Sequence, residues 1–185
     1  GVERYEVDLV GFVEDGGGHG AAEIDVEAAP DILVVGDGKA DQSGRDAAVE
    51  HAALAHGVKR FIYTGTIDSY ASGNAAEVIT EDTALDPNIA TRNHYARSKA
   101  GCEALLNGMH RDRQLPLVIL RPGIVIGKGS PPAHWGVGRF NSETDVTYWG
   151  DGRNPLPLVL VEDVADALLR ALDVPGIEGR TFLLT

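Results

Sequence analysis

An α/β architecture with a largely parallel sheet is predicted by two features of the chain. Short β-branched or apolar runs bounded by turn residues alternate with stretches that mix apolar and polar positions at helical spacing. Glycine is also abundant, at 23 of 185 residues or about 12% against an average near 7%, so parts of the chain need bare backbone. With 43% hydrophobic and 24% charged residues, the length suits one domain with a real core, and the composition is not that of a disordered chain.

The strands are read in order at residues 4–10, 32–35, 60–66, 117–121 and 182–184, with a further candidate at 145–149. The run ILVV at 32–35 lies between Pro30 and Gly36, and LVILR at 117–121 lies between Pro116 and Pro122. Both are bounded by residues that break regular structure. Helices are read at 44–56, 92–110 and 162–172. The last opens with Glu162 and Asp163, where carboxylates suit the positive end of the helix dipole. Residues 67–90 and 127–152 read as long loops rich in Ser, Asn, Gly and Pro, and connections of this length inside a domain usually carry function or are disordered. No internal repeat or heptad pattern occurs.

Charge and cysteine content narrow the class. Lys and Arg number 16 against 28 Asp and Glu, a net charge of −12, and no basic run appears, which argues against a nucleic-acid partner. The one cysteine, Cys102, cannot form an internal disulfide, so a reducing cytoplasm is the expected location. No apolar stretch approaches the roughly 20 residues that span a bilayer, and the first residues lack a basic region followed by an apolar one. The expectation is a soluble protein without a membrane anchor.

The chemistry-bearing stretch begins at Val58. Tyr95 and Lys99 are four apart and share one face of a helix. An adjacent ammonium favours the phenolate, lowering a pKa that is ordinarily about 10 and making Tyr95 a usable general acid or base. A strand ending in Thr64 and Thr66 precedes this helix, and an apolar strand ending in Arg121-Pro122-Gly123 follows it. Parallel strands deliver their carboxyl ends to a ligand crevice.

Four ordered pieces, GVKRFIYTGTIDSY, YARSKAGCEALL, LVILRPGIVIGKGS and GDGRNPLPLVLVEDVADALLRAL, resemble the extended short-chain dehydrogenase/reductase superfamily and its NAD-dependent epimerase/dehydratase family. The resemblance runs from about residue 44 to Thr185. It implies a Rossmann-like, doubly wound, mostly parallel sheet, with residues 127–160 contributing to a substrate-binding region. It also implies that Tyr95 is the catalytic acid/base, that Lys99 tunes it and binds the nicotinamide ribose, and that Thr66 is the catalytic hydroxyl, with Thr64 as the alternative to it and otherwise beside the cofactor. Pro122, Gly123, Ile124 and Val125 would lie against the nicotinamide of NAD or NADP. Asp8 and Leu9, in a segment like the family's third strand, would touch the adenine, and Gly36 would follow the fourth strand near the cofactor. Trp135, Arg139 and Arg153 are assigned to the substrate from their location in the loop region.

The chain departs from this pattern in places. The family opens with a glycine turn and helix that hold the pyrophosphate, but the Gly16, Gly17, Gly18 and Gly20 cluster has different spacing and is followed by Pro30. It reads as a surface loop. The expectation is therefore a single partial domain over residues 1–185, incomplete on the N-terminal side of the sheet. On its own it would show no saturable NAD(P) binding, and the strand at 32–35 would be covered by residues 4–10 or by another chain.

The remaining candidates have plainer readings. Six histidines show no metal-ligand spacing, so no metal site is expected. Cys102 reads as a buried packing residue, and Glu77, Glu81 and Asp82 as solvated loop residues. The expected function is NAD(P)-dependent oxidation, epimerisation or dehydration of a sugar nucleotide or similar small hydroxyl or keto compound. The alternative is a non-catalytic binding or regulatory module, or an inactive fragment, on the same fold. A homodimer is expected through the helices near 44–56 and 92–110, where Ala47, Ala48, Ala52, Ala55, Ala100 and Ala104 would permit close approach.

Overall fold

The computed structural model describes residues 32–35 (backbone), 53–54, 57–71, 78–128, 134, 136–142, 145–151, 153 and 155–185. Four parallel strands form the main sheet in the order β1-β2-β3-β8: β1 is Ile32–Val35, β2 Arg60–Thr64, β3 Leu117–Pro122 and β8 Thr181–Leu184. Helix α1, His94–Arg113, lies in the chain between β2 and β3, and helix α2, Val161–Asp173, precedes β8.

Side chains along β2 and β3 alternate between two cores. Phe61, Tyr63, Leu117 and Ile119 pack with Cys102, Leu106 and Met109 of α1. Ile62, Val118 and Leu120 pack with Ala171 and Ile177, bordered by Ala167, Leu168 and Leu172 of α2. The two helices therefore cover opposite faces. A strand apolar on both faces is the expected result in a covered parallel sheet, and this explains the unbroken apolar run at 117–120. Each fully buried side chain of this kind contributes roughly 1.5–3 kcal/mol relative to exposure.

The ends of α1 are set by specific groups. Asn93 accepts from the Ala96 amide at 2.8 Å and caps the start, which places the helix two residues later than the 92–110 reading. Gln114 adopts a left-handed conformation at φ 60° and stops the helix after Arg113. The strand read as 60–66 leaves the sheet at Thr64, because Thr66 instead caps a short helical turn at Ile67–Ser69. A second such turn, Ile89–Thr91, and an antiparallel bridge between Tyr70 and Leu85 occur among the described residues of the stretch read as a loop at 67–90.

The region read as a loop at 127–152 contains one strand pair and is flanked by another. Strand β4, Ile124–Ile126, runs parallel to β7, Leu158–Leu160, and β5, Gly138–Phe140, runs antiparallel to β6, Val146–Tyr148. The 145–149 candidate corresponds to β6. Each of these strands has three residues, too few for a period-2 pattern to register, and their pairing depends on partners brought close by the fold.

Ala53 and Leu54 are helical. The rest of the 44–56 reading, and the strand at 4–10, fall outside the described residues. Of the small residues expected to permit helix association, Ala100 is buried within the chain at 5% exposure, on the core side of α1, whereas Ala104 is exposed. Among the described residues, no helix is long and apolar enough to cross a membrane.

Candidate active site

The carboxyl ends of β2 and β3 and the first turns of α1 converge. Lys99 is 5% exposed, and its ammonium donates to the Thr64 carbonyl oxygen at 2.9 Å. The same nitrogen lies 5.2 Å from the centroid of the Tyr63 ring and 6.0 Å from that of Tyr95. Tyr95 stands at the exposed start of α1, 41% accessible. The structure thus brings Tyr95, Lys99 and the end of β2 together. Thr66 is buried at 7% exposure, and its hydroxyl oxygen accepts from the Asp68 amide at 3.1 Å. That bond fixes the oxygen and leaves the hydroxyl hydrogen to point elsewhere.

A buried ion pair lies beneath this strand end. Period-2 alternation puts Arg121 on the α1 side of β3, after Leu117 and Ile119. Its Nε donates to both Glu103 carboxylate oxygens, at 3.2 and 3.0 Å, and its Nη2 donates to Oε2. Glu103 is fully buried and Arg121 is 5% exposed. Burial works against the guanidinium charge, but the hydrogen bonds and charge of Glu103 outweigh it and hold Arg121 more firmly protonated than usual. Arg121 Nη1 also donates to the Tyr70 hydroxyl. Burial pushes the Tyr70 phenol above its ordinary value, against the pull of Arg121.

A second network fastens the loop after Thr66 to the approach to α1. Arg92 donates to Asp68 at 2.6 Å, to Asp86 at 3.1 Å and to the Tyr70 carbonyl at 3.1 Å. Asp86 also accepts from the Asn88 amide at 2.8 Å. The Glu81 carboxylate is lowered by its own backbone amide and by the Leu183 amide, which donates to it at 3.3 Å from β8. Glu81 therefore meets the outer strand, a contact the reading of a purely solvated loop residue did not include.

The other assigned residues are distributed as follows. Pro122 ends β3, and Gly123 leads into Ile124 and Val125 of β4. A Cβ at Gly123 would stand 2.1 Å from the Pro157 carbonyl oxygen, the oxygen that accepts from the Ile124 amide at 2.7 Å. Only glycine allows that approach. Arg139 is exposed on β5, and Arg153 is exposed beside Asp151. No described contact links either of them to Thr66, Tyr95 or Lys99. Asp8, Leu9, Gly36 and Trp135 lie outside the described residues.

Sequence reasoning missed Glu103, Arg121, Tyr70 and the Asp68–Arg92–Asp86 cluster. Two signals were present: Glu103 extends the four-residue spacing of Tyr95 and Lys99 by one more turn, and Arg121 is a charge inside an apolar strand, a residue rarely buried without a partner. Cys102 packs in the α1 core. Among the described residues, no group of three His, Cys, Asp or Glu side chains could hold a metal ion.

A parallel α/β sheet whose carboxyl edge gathers a hydroxyl-bearing strand end and a Tyr-x-x-x-Lys helix defines a Rossmann-like domain of the extended short-chain dehydrogenase/reductase type. The NAD dependent epimerase/dehydratase family model matches residues 45–184, and the chain belongs to that family. It is 29% identical over 136 residues to UDP-glucose 4-epimerase of Vibrio cholerae, a match covering 72% of this chain and 40% of that protein. Among solved structures it is similar to an epimerase from Methanothermobacter thermautotrophicus, with TM-score 0.66, 19% identity and coverage of 86% of this chain and 52% of that one. It is also similar to dTDP-glucose 4,6-dehydratase from Bacillus anthracis in complex with NAD, with TM-score 0.64, 18% identity and coverage of 83% and 51%. The chain thus spans two-fifths to about half the length of these relatives.

Proposed function

We propose that the chain carries the proton-transfer half of a nicotinamide-dependent oxidoreductase, epimerase or dehydratase acting on a hydroxyl or keto carbon of a sugar nucleotide or similar small alcohol. The observation that carries this reading is the position of Lys99, held at the Thr64 carbonyl with its charge facing the Tyr95 ring. Family membership supports the nicotinamide, and two of the named relatives, the Vibrio cholerae and Bacillus anthracis proteins, are by name enzymes of UDP-glucose and dTDP-glucose. The residues present fit the nicotinamide end of such a cofactor. Lys99 is a buried cation whose ammonium meets the carbonyl of Thr64, the last residue of β2, at the carboxyl edge of the sheet, where open α/β sheets take ligands. Lys99 would hold the ribose, and Pro122, Gly123, Ile124 and Val125 would border the ring. When bound, the nicotinamide supplies the hydride acceptor and donor.

The chain's own residues then divide the remaining work. Thr66 donates its hydroxyl hydrogen to the substrate oxygen, with its own oxygen fixed by the Asp68 amide. Tyr95 takes the proton of the alcohol as its carbon is oxidised and returns it on reduction. Lys99 stabilises the phenolate through charge. Arg139 and Arg153, both exposed, are candidates for the phosphate groups of the nucleotide. Twofold association through α1 and the 44–56 segment belongs to the same proposal, and sedimentation at micromolar concentration tests it: a monomer removes it.

The test is direct. The protein that carries this chain is incubated with NAD or NADP and a panel of UDP- and dTDP-hexoses, and absorbance at 340 nm and product stereochemistry are followed. Turnover that is lost in Tyr95→Phe supports the reading. Binding of these sugars without conversion by any nicotinamide favours a binding module instead.

A further inference from the structure

The Glu103–Arg121 pair has no part in the proton transfer above, and its burial needs a reason. Two opposite charges withdrawn from water recover their desolvation only with good geometry, and well-packed apolar replacements are often as stable. Stability alone therefore does not explain a fully buried Glu103. Its surroundings point to another role. A Cβ on Gly65 would stand 2.4 Å from Glu103 Oε1 and 3.2 Å from Arg121 Cγ, so the backbone between Thr64 and Thr66 rests on the ion pair. The Gly65 amide donates to the Leu120 carbonyl at 2.8 Å, next to Arg121 in the chain. Glu103 is one turn beyond Lys99 on α1, and Arg121 reaches on to the Tyr70 hydroxyl at the far end of the Thr66 loop.

We propose that Glu103 and Arg121 are positioning residues, a buried ionic wedge that sets the distance between α1, which carries Tyr95 and Lys99, and the Thr64-Gly65-Thr66 strand end, which carries the substrate hydroxyl donor. The directional bonds of the guanidinium fix two segments, α1 through Glu103 and the loop end through Tyr70, and the strand end at Gly65 packs against the pair so bonded. Apolar side chains of similar volume would fill the space without specifying that geometry. This inference rests on the proposed proton-transfer role of Tyr95, Lys99 and Thr66 for its catalytic consequence, but not for its structural one.

The experiment compares the parent protein with the double variant Glu103→Met/Arg121→Met and the single variant Glu103→Gln. Thermal unfolding and amide hydrogen exchange are measured for all three, and kcat and KM where there is turnover. The double variant is expected to melt within a few degrees of the parent, while the Gly65 and Asp68 amides exchange at least about tenfold faster and the Ile62 and Val118 amides keep their protection. In an active protein, kcat falls at least about tenfold, because small misplacements of reacting groups are costly, and KM stays within about threefold. Unchanged exchange at Gly65 and Asp68 overturns the proposal, as does unfolding of both variants at 25 °C, which would make the pair a source of stability. Faster exchange with kcat retained overturns it too. If the parent turns over no substrate, the proposed function fails separately, and the exchange pattern alone decides whether the pair positions the strand end.

Discussion

Arg92 donates to the Asp68 carboxylate at 2.6 Å, joining the residue just ahead of α1 to the loop that follows Thr66. The pair is mostly shielded, with side-chain exposures of 20% and 17%. Asp86, at 8%, shares the same guanidinium. Arg92→Ala leaves two partly buried carboxylates without their cation. The expected loss lies between the values for exposed and buried pairs, about 1–3 kcal/mol, read as a lower urea midpoint with unchanged slope.

Removing only the Tyr95 hydroxyl tests proton transfer. Tyr95→Phe in the protein that carries this chain is expected to lower kcat at least about 10²-fold, the low end of general acid–base contributions, with nicotinamide affinity little changed. Unchanged turnover would remove Tyr95 from the reaction.

Lys99→Met separates charge from packing. The methionine keeps the apolar stem but loses the ammonium, so the expected result is weaker nicotinamide binding together with an activity optimum moved to higher pH. A fall in melting temperature with both properties intact would make Lys99 a structural residue.

Tyr70 predicts an alkaline limit. Its phenol is raised above the ordinary value by burial, so the folded state holds the proton after the unfolded chain has released it. The associated stability is complete below about pH 10, the unfolded value, and is lost as pH rises through the higher folded value. Melting curves between pH 8 and 11 are expected to fall more steeply for the parent than for Tyr70→Phe. Equal slopes would contradict this.

Gly123→Ala forces a Cβ to within 2.1 Å of a backbone oxygen, which side-chain rotation cannot relieve. A loss of about 1–3 kcal/mol, as for overpacking elsewhere, is expected in denaturant titrations. Gly57→Ala offers a contrast: its φ is 63° with nothing within 4 Å, so any cost there comes from backbone strain alone.

The local sequence determined the parts of this protein that depend on short-range regularities. The strands read at 60–66 and 117–121, the helix read at 92–110 and the four-residue spacing of Tyr95 and Lys99 each follow from short apolar runs between breakers or from the helical period of 3.6. They could be read before any contact was known. Ordered motifs likewise placed the chain in its family from residue 44 onward. Only the tertiary structure decided that Glu103 meets Arg121, that Arg92 spans Asp68 and Asp86, and that three-residue strands pair at 124–126 with 158–160. These contacts join segments separated by 6 to more than 30 positions, and a carboxylate in a helix looks the same in sequence whether it faces water or a guanidinium. Its partner is chosen by which helix face the sheet covers and by where glycine lets the backbone come close, and those are properties of the packed chain.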